Sequence, residues 1–280
     1  MVDVGCGSGA FTRVVADKLD KSRGGKIIGV DRDRGLLTIA TRIAAEKGLS
    51  EEALFMSADA TTCIPLPDEF ADRVVCQATL WMMTETERVD TLKEMIRICK
   101  KGGVVAAVEG AKDTAINYVP FNPLLTQVMH KQSQALLEGY PKARGWDLQI
   151  GYKLPFIFRQ LGLSDVRLDG VADVHLASDT RYSPDFAEEA YEFYLRRQKK
   201  LLSLVGEIET PEGKMKFIEK NEPILTAGGM GWEAVIQMAE LQVTYFSNLV
   251  ENPRVGSESA TVGASIRFVT SGVKRDRPLW

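Results

Sequence analysis

Val2-Asp3-Val4-Gly5-Cys6-Gly7-Ser8-Gly9 stands at the head of the chain, and Ala10 to Leu19 follows it with helical patterning. Val2 and Val4 are β-branched and suit a buried strand, while the glycines allow a tight turn and a close approach of backbone to a ligand. A strand that runs through a glycine-rich turn into a helix is the first half of a βαβ unit. The pattern then repeats. Strands are expected at Met1 to Val4, Lys26 to Asp31, Leu54 to Ala58, Ala71 to Gln77 and Gly103 to Glu109, with further helices at Arg34 to Lys47 and Glu85 to Cys99. Leu92, Met95, Ile96 and Cys99 share one face of the last helix, and Lys100-Lys101-Gly102-Gly103 is expected to close it with cations and a left-handed cap.

Beyond Ala111 the pattern loosens. Pro120, Pro123 and Pro141 surround one helix at Leu124 to Leu137, read as a crossover, and Leu154 to Leu161 forms a short helix ended by Gly162. Ser164 to His175 reads as a sixth strand and Ser265 to Thr270 as a seventh. Between them lie two amphipathic helices, Pro184 to Val205 and Trp232 to Val250, and a third that starts at Thr210-Pro211-Glu212. The basic run Arg196-Arg197-Gln198-Lys199-Lys200 has no interleaved aromatics for base stacking and reads as a solvated helix face.

A net charge of -3 supplies no general attraction to nucleic acid or anionic membrane, which favours a small or neutral partner. No apolar run approaches the roughly 18 residues that a membrane span needs, and after Met1 the chain enters a strand pattern with no basic and apolar leader. A cytoplasmic location is the expectation. Cys6, Cys63, Cys76 and Cys99 are widely spaced, with only His130 and His175 to join them, so reduced thiols are expected and a zinc site is not.

Two ligands compete for the opening turn. Gly5, Gly7 and Ala10 satisfy the dinucleotide pattern G-x-G-x-x-G/A, with Asp31 about 20 residues further on for a ribose hydroxyl. Gly9 also completes G-x-G-x-G, Asp3 places an acid inside the first strand, and Asp59-Ala60 ends the third strand where an adenine amino group would need an acceptor. S-adenosylmethionine carries an ammonium and no pyrophosphate, so acids around the turn suit it better than they suit a dianion.

From Met1 to Glu109 the chain resembles class I S-adenosylmethionine-dependent methyltransferases. The likeness runs through the Gly5 to Gly9 turn, Asp31, Asp59-Ala60, Pro65-Leu66-Pro67-Asp68, Phe70-Ala71-Asp72-Arg73-Val74-Val75, Gln77-Ala78-Thr79-Leu80, Glu94-Met95-Ile96-Arg97 and Lys101-Gly102-Gly103-Val104. It implies a Rossmann-like, doubly wound α/β fold with a seven-stranded, mostly parallel sheet and an antiparallel last strand. Residues 1–177 and 261–280 would form that domain, and residues 178–260 a helical cap inserted between strands six and seven.

The resemblance puts Asp3 and the turn, with Gly5, Cys6, Gly7 and Gly9, around the methionine moiety. It makes Asp31 bidentate to the ribose hydroxyls and lays Arg32 along the adenine edge. Asp59 and the Ala60 amide would take the adenine ring, and Gln77 would lie near the methionine end. Glu109, ending the fifth strand, and His130, on the crossover helix, are the candidate catalytic residues for methyl transfer to a small-molecule acceptor. An RNA or protein acceptor, a binding module without catalysis and a nicotinamide enzyme are the rival readings. Family members usually carry helices before the first strand. Here the sequence opens at the strand itself, as either a fragment or a truncated gene model would, and the expectation is that it binds cofactor more weakly than a version extended at its N-terminus.

Overall fold

β1 (Val2–Val4) is buried along its whole length and hydrogen-bonded on both sides. In the computed structural model it pairs in parallel with β2 (Ile27–Asp31), Val2 opposite Ile28, and with β4 (Ala71–Gln77), Val2 opposite Val74. Beyond β2 lies β3 (Ala53–Ser57), and beyond β4 lies β5 (Cys99–Gly110), both parallel. β8 (Val262–Val273) returns antiparallel to β5 with Val104 opposite Val273, and β7 (Ser164–Leu176) pairs with β8. These are the seven strands expected. An eighth, β6 (Ile116–Tyr118), pairs with the first residues of β8 and was not foreseen, because three residues carry too little pattern to read. The structure describes residues 1–114, 116–118, 122–176, 184–251 and 262–275.

The chain divides into two units, the first made of Met1–Ala111, Trp146–Val171 and Arg267–Trp280. In this unit α1 (Ala10–Lys18) and α2 (Arg34–Glu46) contribute Ala16 and Ala44 to a small cluster with Ile27 and Leu49. The larger cluster joins Val2, Val4, Val74 and Val105 of the sheet to Leu92 and Met95 of α3 (Glu85–Ile98) and to Ile150, Leu154 and Phe158 of α5 (Ile150–Gln160). Since β1 feeds β2 on one side and β4 lies on the other, strand order reverses beside β1, and the strands' C-terminal ends part there.

The second unit, Lys112–Gly145 with Ala172–Ile266, is largely helical. It holds α4 (Pro123–Arg144), α6 (Pro184–Gly206), α7 (Pro211–Asn221), α8 (Pro223–Ala227) and α9 (Trp232–Glu251) around Val128, Ala135, Leu201, Val205, Ile218, Val235 and Met238. Residues 112–145, which continuity in sequence assigned to the sheet, pack here: α4 meets α8 and α9. Pro141 lies inside the last turn of α4 rather than ending it, and the helix stops at left-handed Gly145, whose amide donates to Pro141 O at 3.0 Å. Gln198, read as part of a solvated face, is buried and donates to Gln242 at 3.0 Å, and Gln242 in turn donates to Gln132 at 3.2 Å.

Lys100-Lys101-Gly102-Gly103 does not cap α3. The helix stops at Ile98, Cys99 already opens β5, and left-handed Gly102 donates to Lys274 O at 2.7 Å while Lys274 N donates to Gly103 O at 3.1 Å. Pairing with the far end of the chain outweighs the local capping signal. Phe158 is fully buried between α5 and the sheet. Phe158→Ala should therefore lower the unfolding free energy by about 3–5 kcal/mol in urea titration, with the slope unchanged.

Candidate active site

Beside β1 the parting strands open a cleft of about 430 Å³, lined by Gly5 and Gly7, by Asp31, Arg32 and Asp33, by Ala58 to Thr61, and by Ala78, Thr79, Met82, Met83 and Glu87. Gly5 turns the chain sharply enough for its own amide and that of Cys6 to donate to the same acceptor, Val30 O, at 2.8 and 3.1 Å. Its φ is +73°, and a Cβ there would lie 2.4 Å from the Thr79 side chain. Gly7, with φ +55°, differs: nothing stands within 4 Å of where its Cβ would project. Its bare backbone therefore faces open space on the cleft.

Asp31 joins the turn to the loop after β2. Its Oδ2 accepts from Gly7 N at 2.8 Å and its Oδ1 from Asp33 N at 2.9 Å, while Asp33 caps α2 by accepting from Gly35 N and Leu36 N. Each Asp31 oxygen keeps a second lone pair. Asp59 accepts from the Thr61 hydroxyl at 2.7 Å and the Thr61 amide at 2.9 Å, which holds its carboxyl below the usual range. Glu87 accepts from the Thr84 amide and hydroxyl, both at 2.8 Å, with the same effect. Both acids are ionised at neutral pH and share this part of the cleft with the Arg32 cation.

Of the residues expected to hold a cofactor, Gly5, Gly7, Asp31, Arg32, Asp59 and Ala60 line the cleft, and Asp3, Cys6, Gly9 and Gln77 do not. Asp3 is 1% exposed and accepts from the Thr12 hydroxyl at 2.5 Å, and burial raises its pKa to about 6. Cys6 is half-buried with its thiol pushed up to about 12, again chiefly by burial, so it stays protonated. Gly9 starts α1 and lies against Phe55. Gln77 ends β4 with its Oε1 buried and without a hydrogen-bond partner.

The two candidate catalytic residues lie away from the lining. Glu109 is 1% exposed and accepts from Thr79 N at 2.8 Å and Leu80 N at 2.7 Å, and burial raises its pKa to about 7. It supports the loop after β4 instead of reaching the cleft. His130 is exposed on α4 in the second unit. Lining residues that were not expected include Asp33, Thr61, Ala78, Thr79 and Glu87. Glu87 was findable, because Thr84-Glu85-Thr86-Glu87 is a capping box and the structure forms it. Ala78 carries no such signal: its φ of +51° is set by its amide bonding Val108 O at 2.9 Å.

A parallel sheet with helices, a reversal of strand order and a glycine turn at that reversal define a Rossmann-like ligand-binding domain. The same architecture occurs in the YcgJ protein from Bacillus subtilis, with a TM-score of 0.51 and 15% identity over 99% of this chain and 92% of that one. Residues 1–103 match the family described as Methyltransferase domain. A demethylmenaquinone methyltransferase of Anoxybacillus flavithermus is 27% identical over 190 residues, 62% of this chain and 76% of that protein. A ubiquinone/menaquinone biosynthesis C-methyltransferase of Ectopseudomonas mendocina is 30% identical over 128 residues, 46% of this chain and 45% of that protein. Residues 1–103 thus carry a methyltransferase domain of Rossmann-like fold, the domain type that uses S-adenosylmethionine as cofactor.

Asp3 binds its proton more tightly in the folded chain than in the unfolded one, so folding favours its neutral form. That contribution is present in full below about pH 4 and is lost as pH rises through about 6. Asp3→Asn should remove roughly 3 kcal/mol of pH dependence across this window. Urea unfolding of both chains from pH 4 to 7 checks it, and a stability difference that stays constant with pH would contradict the assignment.

Proposed function

We propose that this cleft holds S-adenosylmethionine through Gly5, Gly7, Asp31, Arg32, Asp59 and Ala60, and that the protein transfers the methyl group in line to a small-molecule acceptor. The observation that carries the reading is the joint presence, in one cleft, of the open Gly7 backbone, the positioned Asp31 carboxylate and the ionised Asp59. Each has a part to play with this ligand. Asp31 retains a lone pair on each oxygen for two ribose hydroxyls, Asp59 offers negative charge to an adenine amino group, and the Ala60 backbone amide offers a donor to the ring.

When bound, S-adenosylmethionine supplies an activated methyl group on a sulfonium. The protein's own task is then to orient and to exclude water, since an in-line approach of the acceptor already removes much of the barrier. Ala78, Met82 and Met83 offer apolar surface in the cleft. No proton transfer is assigned to Glu109, which the Thr79 and Leu80 amides engage, or to His130. A small-molecule acceptor agrees with the relatives' names, which give demethylmenaquinone and quinone biosynthesis, and with a net charge of -3 that offers nucleic acid no general attraction. Among the described residues no helix is long and apolar enough to cross a membrane; we place the reaction in the cytoplasm.

Calorimetry tests the cofactor assignment. S-adenosylhomocysteine should bind and NAD should not, and Asp31→Ala should weaken the former at least tenfold, since charge-assisted hydrogen bonds contribute about 1.5–3 kcal/mol each. Binding of NAD, or an unaltered affinity in Asp31→Ala, would overturn it. Transfer of a labelled methyl group to a demethylated quinone but not to RNA or protein is the expected acceptor result, and labelled RNA or protein would replace the small-molecule reading.

A further inference from the structure

Two buried charges that do not line the cleft converge on one segment of its wall. Glu109 accepts through Oε1 from Thr79 N and Leu80 N. Arg88 of α3 is 5% exposed; its Nε donates to Leu80 O at 3.1 Å and its Nη2 to Met83 O at 2.9 Å. An anion thus takes the amides at the start of the segment, and a cation takes carbonyls at its middle and end, both as charge-assisted bonds. Between these anchors, Ala78 to Met83 gives the cleft Ala78, Thr79, Met82 and Met83. The segment leaves β4 at left-handed Ala78, a conformation that persists in a non-glycine residue only when its surroundings impose it. Thr79 adds a tie to the opening turn, its hydroxyl lying 3.3 Å from Gly5 O.

Glu109 is a poor choice for stability alone. Burial disfavours its charge, and its Oε2 is buried without a hydrogen-bond partner. A neutral side chain of the same size would avoid that desolvation. Arg88 is likewise desolvated, with Asp147 4.0 Å away and Glu85 among the acids that offset its burial. Retaining two such groups on one short segment fits a task at the site better than a task in the core.

We infer that Glu109 and Arg88 are positioning residues that clamp Ala78 to Met83 as a fixed wall of the cofactor cleft, so that their charges serve ligand affinity and not the stability of the chain. The inference rests on the reading of this cleft as the S-adenosylmethionine site. Glu109→Gln keeps the size and one acceptor oxygen while removing the charge that strengthens both amide bonds.

The test measures thermal unfolding and S-adenosylhomocysteine affinity by calorimetry, at pH 8, on the full chain. Glu109→Gln should unfold at or above the wild-type temperature while its Kd rises about five- to tenfold, a split that a purely structural role does not produce. Ala78→Gly, which accepts the left-handed conformation without strain but no longer restricts the segment, should likewise weaken binding severalfold with little change in melting. Wild-type affinity in Glu109→Gln would overturn the clamp, and if that variant fails to fold, wild-type affinity in Ala78→Gly would do so. A wild-type chain that does not bind S-adenosylhomocysteine would overturn the cleft assignment itself, an outcome distinct from wild-type binding that the variants leave untouched.

Discussion

The three residues of β1 carry the architecture of the cleft. Buried on both faces and paired with β2 and β4 at once, they leave the following turn one way to go, over the end of β2, where Gly5 N and Cys6 N share Val30 O. A shift of this strand by one residue would exchange Val2 and Val4 with Asp3, setting apolar side chains where the acid meets Thr12 and the acid among the core valines. The register is therefore held by the core, and the turn inherits its position from the register. Asp31 then links that turn to the next loop through Gly7 N and Asp33 N.

Around this frame the backbone itself organises the acids. Asp59 and Glu87 each accept an amide and a hydroxyl from a nearby threonine, so hydrogen bonds within their own loops keep them ionised and oriented. Such prearrangement lowers the reorganisation that binding would otherwise require. The loop after β4 is held differently, from beneath, by groups that pay heavily in desolvation. One side of the cleft is self-supporting, and the other depends on β5 and α3.

Much of the first unit was legible because its signals are local. Strand limits at Ile27–Asp31 and Ala71–Gln77 follow from short apolar runs between turn residues, and α2 and α3 follow from helical periodicity over Arg34 to Lys47 and Glu85 to Cys99. The misreading at Lys100 to Gly103 has the opposite origin. Its glycines do fit a helix cap, but Lys274, remote in sequence, supplies backbone partners that an isolated helix end lacks. β6 and α8 were too short to read, and the grouping of residues 112–145 with α8 and α9 depends on surfaces that helical periodicity does not match to one another.

By itself the sequence determined the strand-turn-helix alternation, the glycine turn and the acids at the ends of successive strands, since periodicity, left-handed tolerance and charge are properties of residues and their neighbours. Only the tertiary structure decided which of those acids reach the cleft. Asp31 and Asp59 line it, whereas Asp3 and Glu109, as near to strand ends in sequence, turn into the interior. Alternation along a strand sets the side toward which a side chain points. Whether that side holds solvent or core depends on the helices packed against it, here α1 with Thr12 for Asp3 and the Thr79-Leu80 loop for Glu109. Those contacts span gaps in sequence that no local pattern bridges.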